Sequence, residues 1–209
     1  MAVVLGIFLL STSAIAQETG KKPAIKDKTV KTLMKFAFGL MPEIYTGPDG
    51  KKIAINKKKP DEVMIPVDDA RRIILVADRS AKAQNCDLKV MQTLNHNAMV
   101  KYEQVFKSWS DQQKLFINQL HLFTVLYMTG NVKFDEQKTA QEKADIKSGK
   151  KIPDLENKYK CSDDERKKVA ASVDEYLDKM AKAIREELLR RKKLGSNEKK
   201  SNEVKKAQK

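Results

Sequence analysis

Between Val67 and Trp109, thirteen positions follow one another at a spacing of three or four, eleven of them apolar or aromatic: Val67, Ala70, Ile74, Ala77, Ala81, Gln84, Leu88, Met91, Asn95, Ala98, Tyr102, Val105 and Trp109. This spacing places one residue per turn on a single helical face and does not fit the two-residue alternation of a half-buried strand. Ile73, Leu94, Met99 and Phe106 widen the stripe. The pattern predicts one long helix, or two joined near Asn85–Asp87, of coiled-coil or bundle type. Asp68 and Asp69 suit the positive start of such a helix. Gln84 and Asn95 are polar seam positions, which either fix register or mark a break.

The flanking segments fit a bundle. Ser110 is a natural N-cap for a following helix, Lys114–Thr129, in which Leu115, Phe116, Ile117, Leu120, Leu122, Phe123, Val125, Leu126, Tyr127 and Met128 leave little polar face. A helix apolar nearly all round needs neighbours on several sides. The stripe from Val67 to Trp109 can supply one side, and the stripe of the last helix another. Gly130-Asn131 ends it. Upstream, Thr29–Met41 reads as a short amphipathic helix stopped by Pro42. Glu43–Asn56 reads as a hairpin turning at Gly47-Pro48-Asp49-Gly50, and Glu62–Pro66 as a short extended piece. Downstream, Asp135–Lys147 is polar and weakly helical, and Ser148–Cys161 is a loop. Ser162 and Glu165 form a capping box for the last helix, whose stripe is Val169, Val173, Leu177, Met180, Ile184 and Leu188 and which ends near Leu194-Gly195. The expected fold is therefore mainly α: a small helical bundle with long amphipathic helices, a minor N-terminal β-hairpin and a disordered basic C-terminal tail. The domain organisation that follows is a signal peptide at 1–16, a flexible linker at 17–28, a single helical domain at 29–194 and the tail at 195–209.

The first 16 residues carry an apolar run, Ala2–Leu10, then Ser11-Thr12-Ser13 and the A-x-A tripeptide Ala14-Ile15-Ala16. This is the form of a cleaved secretory signal, although no Lys or Arg precedes the run. The expected location is the periplasm or the extracellular space. In an oxidising compartment the only two cysteines, Cys86 and Cys161, are expected to form a disulfide.

Charge narrows the partner class. The chain of 209 residues carries a net +14, placed at its ends. Gln17–Pro60 holds eleven Lys against Glu18, Asp27, Glu43 and Asp49, while Arg190–Lys209 holds nine basic residues against Glu198 and Glu203. Asp61–Leu189 between them is neutral. Basic ends on a neutral body point to an anionic envelope component, a peripheral membrane contact or an acidic protein partner, with Arg190, Arg191, Lys192, Lys193, Lys199 and Lys200 as the contact residues. Nucleic acid is disfavoured by export and by the scarcity of aromatics among the basic residues. Self-association is compatible with the long apolar stripes.

No phosphate-binding loop, dinucleotide fingerprint, metalloprotease helix or nucleophile elbow occurs. His96 and His121 can meet if their helices pack antiparallel. With Tyr102, Trp109, Phe123 and Tyr127 they form the candidate pocket, although residues at this spacing ordinarily serve a core. The leading expectation is a non-enzymatic exported binding or interaction protein, with no cofactor and no metal. Two alternatives stand beside it: an enzyme or small-ligand carrier with a pocket near the two histidines, and a peripheral envelope protein held to anionic surfaces by its ends. A pocket lined by both histidines would favour the enzyme or carrier; a filled core would favour the interaction protein.

Overall fold

The computed structural model describes residues 25–132 and 161–207, with side chains up to residue 194. The proposed signal, the linker up to residue 24, the polar stretch at 135–147 and the loop at 148–160 lie outside the described residues.

Six helices and one hairpin make up the described chain. Helix α1 (Asp27–Gly39) begins inside the expected linker and buries Val30, Leu33, Met34 and Ala37, one row of its surface. Strands β1 (Ile44–Thr46) and β2 (Lys52–Ala54) follow, antiparallel, with Tyr45 opposite Ile53. Gly50 takes a left-handed conformation in the turn (φ 78°), where a side chain would be strained. The hairpin is docked, as an isolated two-stranded ribbon must be. Ile55 is buried, the Asn56 amide donates to Gln112 Oε1 at 2.8 Å, and Lys57 Nζ donates to the Phe38 carbonyl at 2.7 Å.

The extended piece expected at Glu62–Pro66 is in part a short helix, α2 (Pro60–Val63). Pro60 is preset for a first helical turn, and Asp61 and Glu62 suit its positive end. Extended backbone begins only at Met64, close to Pro66, and Val63 and Ile65 are both buried.

The long stripe is two helices, α3 (Val67–Asn85) and α4 (Lys89–Phe106), broken at Cys86–Leu88. Asp87 adopts a left-handed conformation (φ 55°), which an aspartate tolerates better than most residues. Across this corner Gln92 Nε2 donates to Gln84 Oε1 at 3.0 Å, so the polar seam residue Gln84 serves the break. Helix α5 (Asp111–Met128) starts with a full capping box: Gln113 N donates to Ser110 Oγ and Ser110 N to Gln113 Oε1.

Helix α5 is central. Phe116, Ile117, Leu120, Phe123 and Val125 are buried, against α3 on one side and α1 on the other. The last helix, α6 (Asp163–Ala207), does not supply the second side of α5 as its stripe suggests; it lies along α4 and α3. Its origin explains the placement. The sulfurs of Cys86 and Cys161 are 1.97 Å apart, a disulfide that fixes the start of α6 at the α3–α4 corner. Arg166 donates there to the Asp87 carbonyl, and Arg79 lies 4.0 Å from the centre of the Tyr176 ring. Val173 alone of the α6 stripe is fully buried. The helical backbone continues past Leu194-Gly195, where its end is expected, to Ala207. Among the described residues no helix is long and apolar enough to cross a membrane.

Candidate functional site

Helices α4 and α5 both pack on α3, and the two histidines meet across it, with ring centroids 4.7 Å apart and planes inclined by 49°. Both line an open cleft of about 590 Å³. Helix α4 contributes Gln92, Thr93 and His96, which share one face because they are one turn apart. Helix α5 contributes Leu115, Asn118, Gln119, His121 and Leu122, again one helical face. The opposite wall is the end of α1 and the hairpin: Met41, Pro42, Tyr45 and Ile55. None of these lining residues is an acid, a lysine or an arginine, in a protein of which a third is charged.

Behind the cleft lies a buried polar chain. Asn95 Nδ2 donates to the Val76 carbonyl (2.9 Å) and to Ser80 Oγ (2.8 Å), and Ser80 Oγ lies 3.0 Å from His121 Nε2. Arg79 Nε approaches Asn95 Oδ1 at 3.4 Å. Asn95, the second polar residue of the seam, thus joins α4 to α3, and Ser80 joins α3 to α5. His121 is 6% exposed. Burial, and secondarily the neighbouring His96, push its pKa down to about 3, so the ring is neutral at every physiological pH. His96 is more open, with its Nε2 3.1 Å from Asn118 Oδ1, and Asn118 Nδ2 donates to the Lys114 carbonyl at 3.1 Å.

Of the six residues expected to form a pocket, His96 and His121 line this cleft and the other four do not. Tyr102 stacks on Phe106 with centroids 4.4 Å apart and lies beneath Arg72. Trp109 donates Nε1–H to Glu103 Oε2 at 2.8 Å. Glu103 is buried and also binds Arg72, which pairs with Asp69, so Trp109 belongs to a structural ion network of α3 and α4. Phe123 is buried between the rings of Phe36 and Tyr127. Phe123 is fully in the interior, whereas Tyr102, Trp109 and Tyr127 are half-buried at its edge, with Trp109 in the α4–α5 connection.

At the basic end, Arg190 and Arg191 both bind Glu187 at 2.7 Å, and these bonds hold its carboxyl down at about 2. Arg191 also reaches the Val105 carbonyl. Lys192 and Lys193 are exposed; the side chains of Lys199 and Lys200 lie outside the described residues.

Gln92, Thr93, Asn118, Gln119 and the hairpin wall were not singled out by sequence reasoning. The available signal was on α5, where Asn118, Gln119 and His121 interrupt an otherwise apolar run. Among the described residues no group of three or more His, Cys, Asp or Glu is placed to hold a metal ion. Comparison with models of protein families, with curated proteins and with solved structures finds no match.

Proposed function

We propose that this protein is an exported, non-enzymatic binding protein that seats a small uncharged ligand in the His96–His121 cleft. The observation that carries this reading is the cleft itself, open to solvent, lined by both imidazoles, by side-chain amides and by apolar residues. Pockets of this size with a few convergent polar groups are the usual form of a ligand site. Binding is favoured over proton transfer by the state of His121. Its Nε2 is engaged with Ser80 and its ring takes no proton above about pH 3, so it cannot serve as a general base near neutrality. The disulfide supports export, since such bonds persist in oxidising compartments.

The test is ligand-detected NMR with a library of small amphipathic compounds, followed by competition. Uncharged compounds should dominate the hits, and Leu122→Glu, which sets a carboxylate at the exposed rim, should abolish their binding while the fold is retained by circular dichroism. Hits indifferent to Leu122→Glu, or a hit set dominated by ions, would refute the cleft as the site.

A second reading draws on α6. Leu188, Leu189 and Leu194 are each about half exposed and flank the basic run Arg190–Lys193, the composition of a helix that lies on an anionic lipid surface. Salt-sensitive co-sedimentation with vesicles containing phosphatidylglycerol, lost in Leu188→Glu/Leu189→Glu, would support it; equal behaviour with neutral vesicles would exclude it.

A further inference from the structure

The hydrogen bonds behind the cleft start from groups that can only accept, and their direction sets what the cleft can recognise; the inference rests on the cleft being the ligand site. It begins at two backbone carbonyls, which can only accept. The Val76 carbonyl requires the Asn95 side-chain nitrogen to face it, and the same nitrogen donates its second proton to Ser80 Oγ. Ser80, on the buried face of α3, has its Oγ 3.0 Å from His121 Nε2, and with its hydroxyl proton on this contact the imidazole nitrogen is the acceptor. A neutral imidazole that accepts at Nε2 carries its proton on Nδ1. His121 lines the cleft, so the polar atom it has left for a ligand is a donor, Nδ1–H.

The second carbonyl, that of Lys114, takes the Asn118 nitrogen and so turns Asn118 Oδ1 toward His96. The His96 Nε2 must then donate, which leaves the lone pair of Nδ1 as the acceptor of the neutral ring. Two imidazoles with centroids 4.7 Å apart, both lining the cleft, therefore carry one free donor and one free acceptor between them. Around them stand apolar surfaces of Leu115, Leu122, Ile55 and Tyr45 and no charge.

We infer that the cleft recognises an uncharged group whose carbonyl oxygen and N–H lie on one edge, a carboxamide or cyclic amide carried on an apolar or aromatic body. The carbonyl accepts from His121 Nδ1–H and the N–H donates to His96 Nδ1. A carboxylate finds an acceptor where it needs a second donor, an amidinium finds a donor where it needs an acceptor, and neither finds a counter-charge for its desolvation. Ser80 and Asn95 are positioning residues that act through the imidazoles, while Asn118 both orients His96 and lines the cleft.

The experiment uses the full mature chain labelled with ¹⁵N at histidine, and four compounds of one shape: benzamide, benzoate, benzamidine and acetophenone. Long-range ¹H–¹⁵N spectra should report the Nδ1–H form for His121 and the Nε2–H form for His96 before any compound is added. Benzamide should shift both rings, about tenfold more tightly than benzoate or benzamidine and severalfold more tightly than acetophenone. Asn118→Leu, at an exposed position, should mix the His96 tautomers and weaken benzamide severalfold while His121 keeps its own form. Ser80→Ala should release the His121 tautomer; if that buried change prevents folding, Asn118→Leu carries the test alone. Opposite tautomers, or benzoate or benzamidine binding as well as benzamide, overturn the inference while leaving a ligand cleft standing. Expected tautomers with no compound of the series shifting either ring overturn it together with the cleft reading.

Discussion

Replacing Phe123 by alanine should be among the costliest single changes in this protein. Phe123 is 2% exposed on the central helix, with its ring near-parallel to Tyr127 at 6.5 Å and to Phe36 at 6.2 Å. Emptying a fully buried phenylalanine site costs about 3–5 kcal/mol, from lost transfer energy plus the cavity left behind. Two adjustments of opposite sign locate the value within that range. Loss of the stacked pairs adds about 0.5–1.5 kcal/mol beyond area burial. Phe36, however, is 44% exposed and can swing into part of the void. The expectation is about 4 kcal/mol, or roughly 8–16 °C in melting temperature for a chain of this size. Urea unfolding followed by circular dichroism at 222 nm measures it, with the slope unchanged if only the native state is affected. Lys205→Ala, at a polar position in the basic end, should stay within about 0.5 kcal/mol. A loss below about 1 kcal/mol for Phe123→Ala, or intact monomer stability with loss of self-association, would mean that α5 is an interface and that the bundle is wrongly centred.

Other outcomes follow from the same contacts. Cys86→Ser/Cys161→Ser opens a loop of 75 residues and should cost about 4 kcal/mol in the chain-entropy account, read as a drop in the urea midpoint. His121 has a folded-state pKa of about 3, below its ordinary 6.5, so the unfolded chain binds a proton that the folded chain refuses and stability falls as pH drops through that window. From pH 7 to pH 5 this contributes a loss of about 2 kcal/mol, which His121→Gln should remove from the pH profile; equal profiles would mean the ring is not desolvated. Deleting residues 195–209 should leave the melting temperature nearly unchanged, because Val204 is the one strongly apolar residue after Leu194; a fall of many degrees would show that the segment docks. Intact mass of exported material should correspond to a chain starting at Gln17, and a full-length mass would remove the signal-peptide reading.

The helices were legible because their periodicity runs over many turns and their caps are local chemistry: Ser110 with Gln113 and Ser162 with Glu165 act within four residues. The α3–α4 break was legible only as an alternative. The stripe passes through Cys86–Leu88 unbroken, and it is the left-handed Asp87 that turns the chain. The placement of α6 was not legible, because an amphipathic stripe states that a helix packs and not on what; the disulfide decides that. The cleft was half legible. His96 and His121 meet because α4 and α5 both pack on α3, which the sequence permits without requiring, whereas the hairpin wall and the amides of α4 and α5 converge through tertiary contacts that no local pattern encodes. The aromatics were drawn into the candidate pocket by their size; Phe123 went to the interior, and Tyr102, Trp109 and Tyr127 went to half-buried contacts away from the cleft.

The disulfide also determines how the protein responds to proteolysis. Cys86 closes α3 and Cys161 precedes α6, so α4 and α5, the two helices that carry His96 and His121, both lie within a single covalent ring. An endoprotease that cuts once inside this ring, for instance in the exposed α4–α5 connection at Ser108 or Ser110, releases no fragment. The two pieces stay tethered at the α3–α4 corner, and the cleft walls remain neighbours at high effective concentration. A nicked molecule would migrate intact on a non-reducing gel and as two bands after reduction. Such a ring lets a molecule cut once keep the two halves of its cleft together.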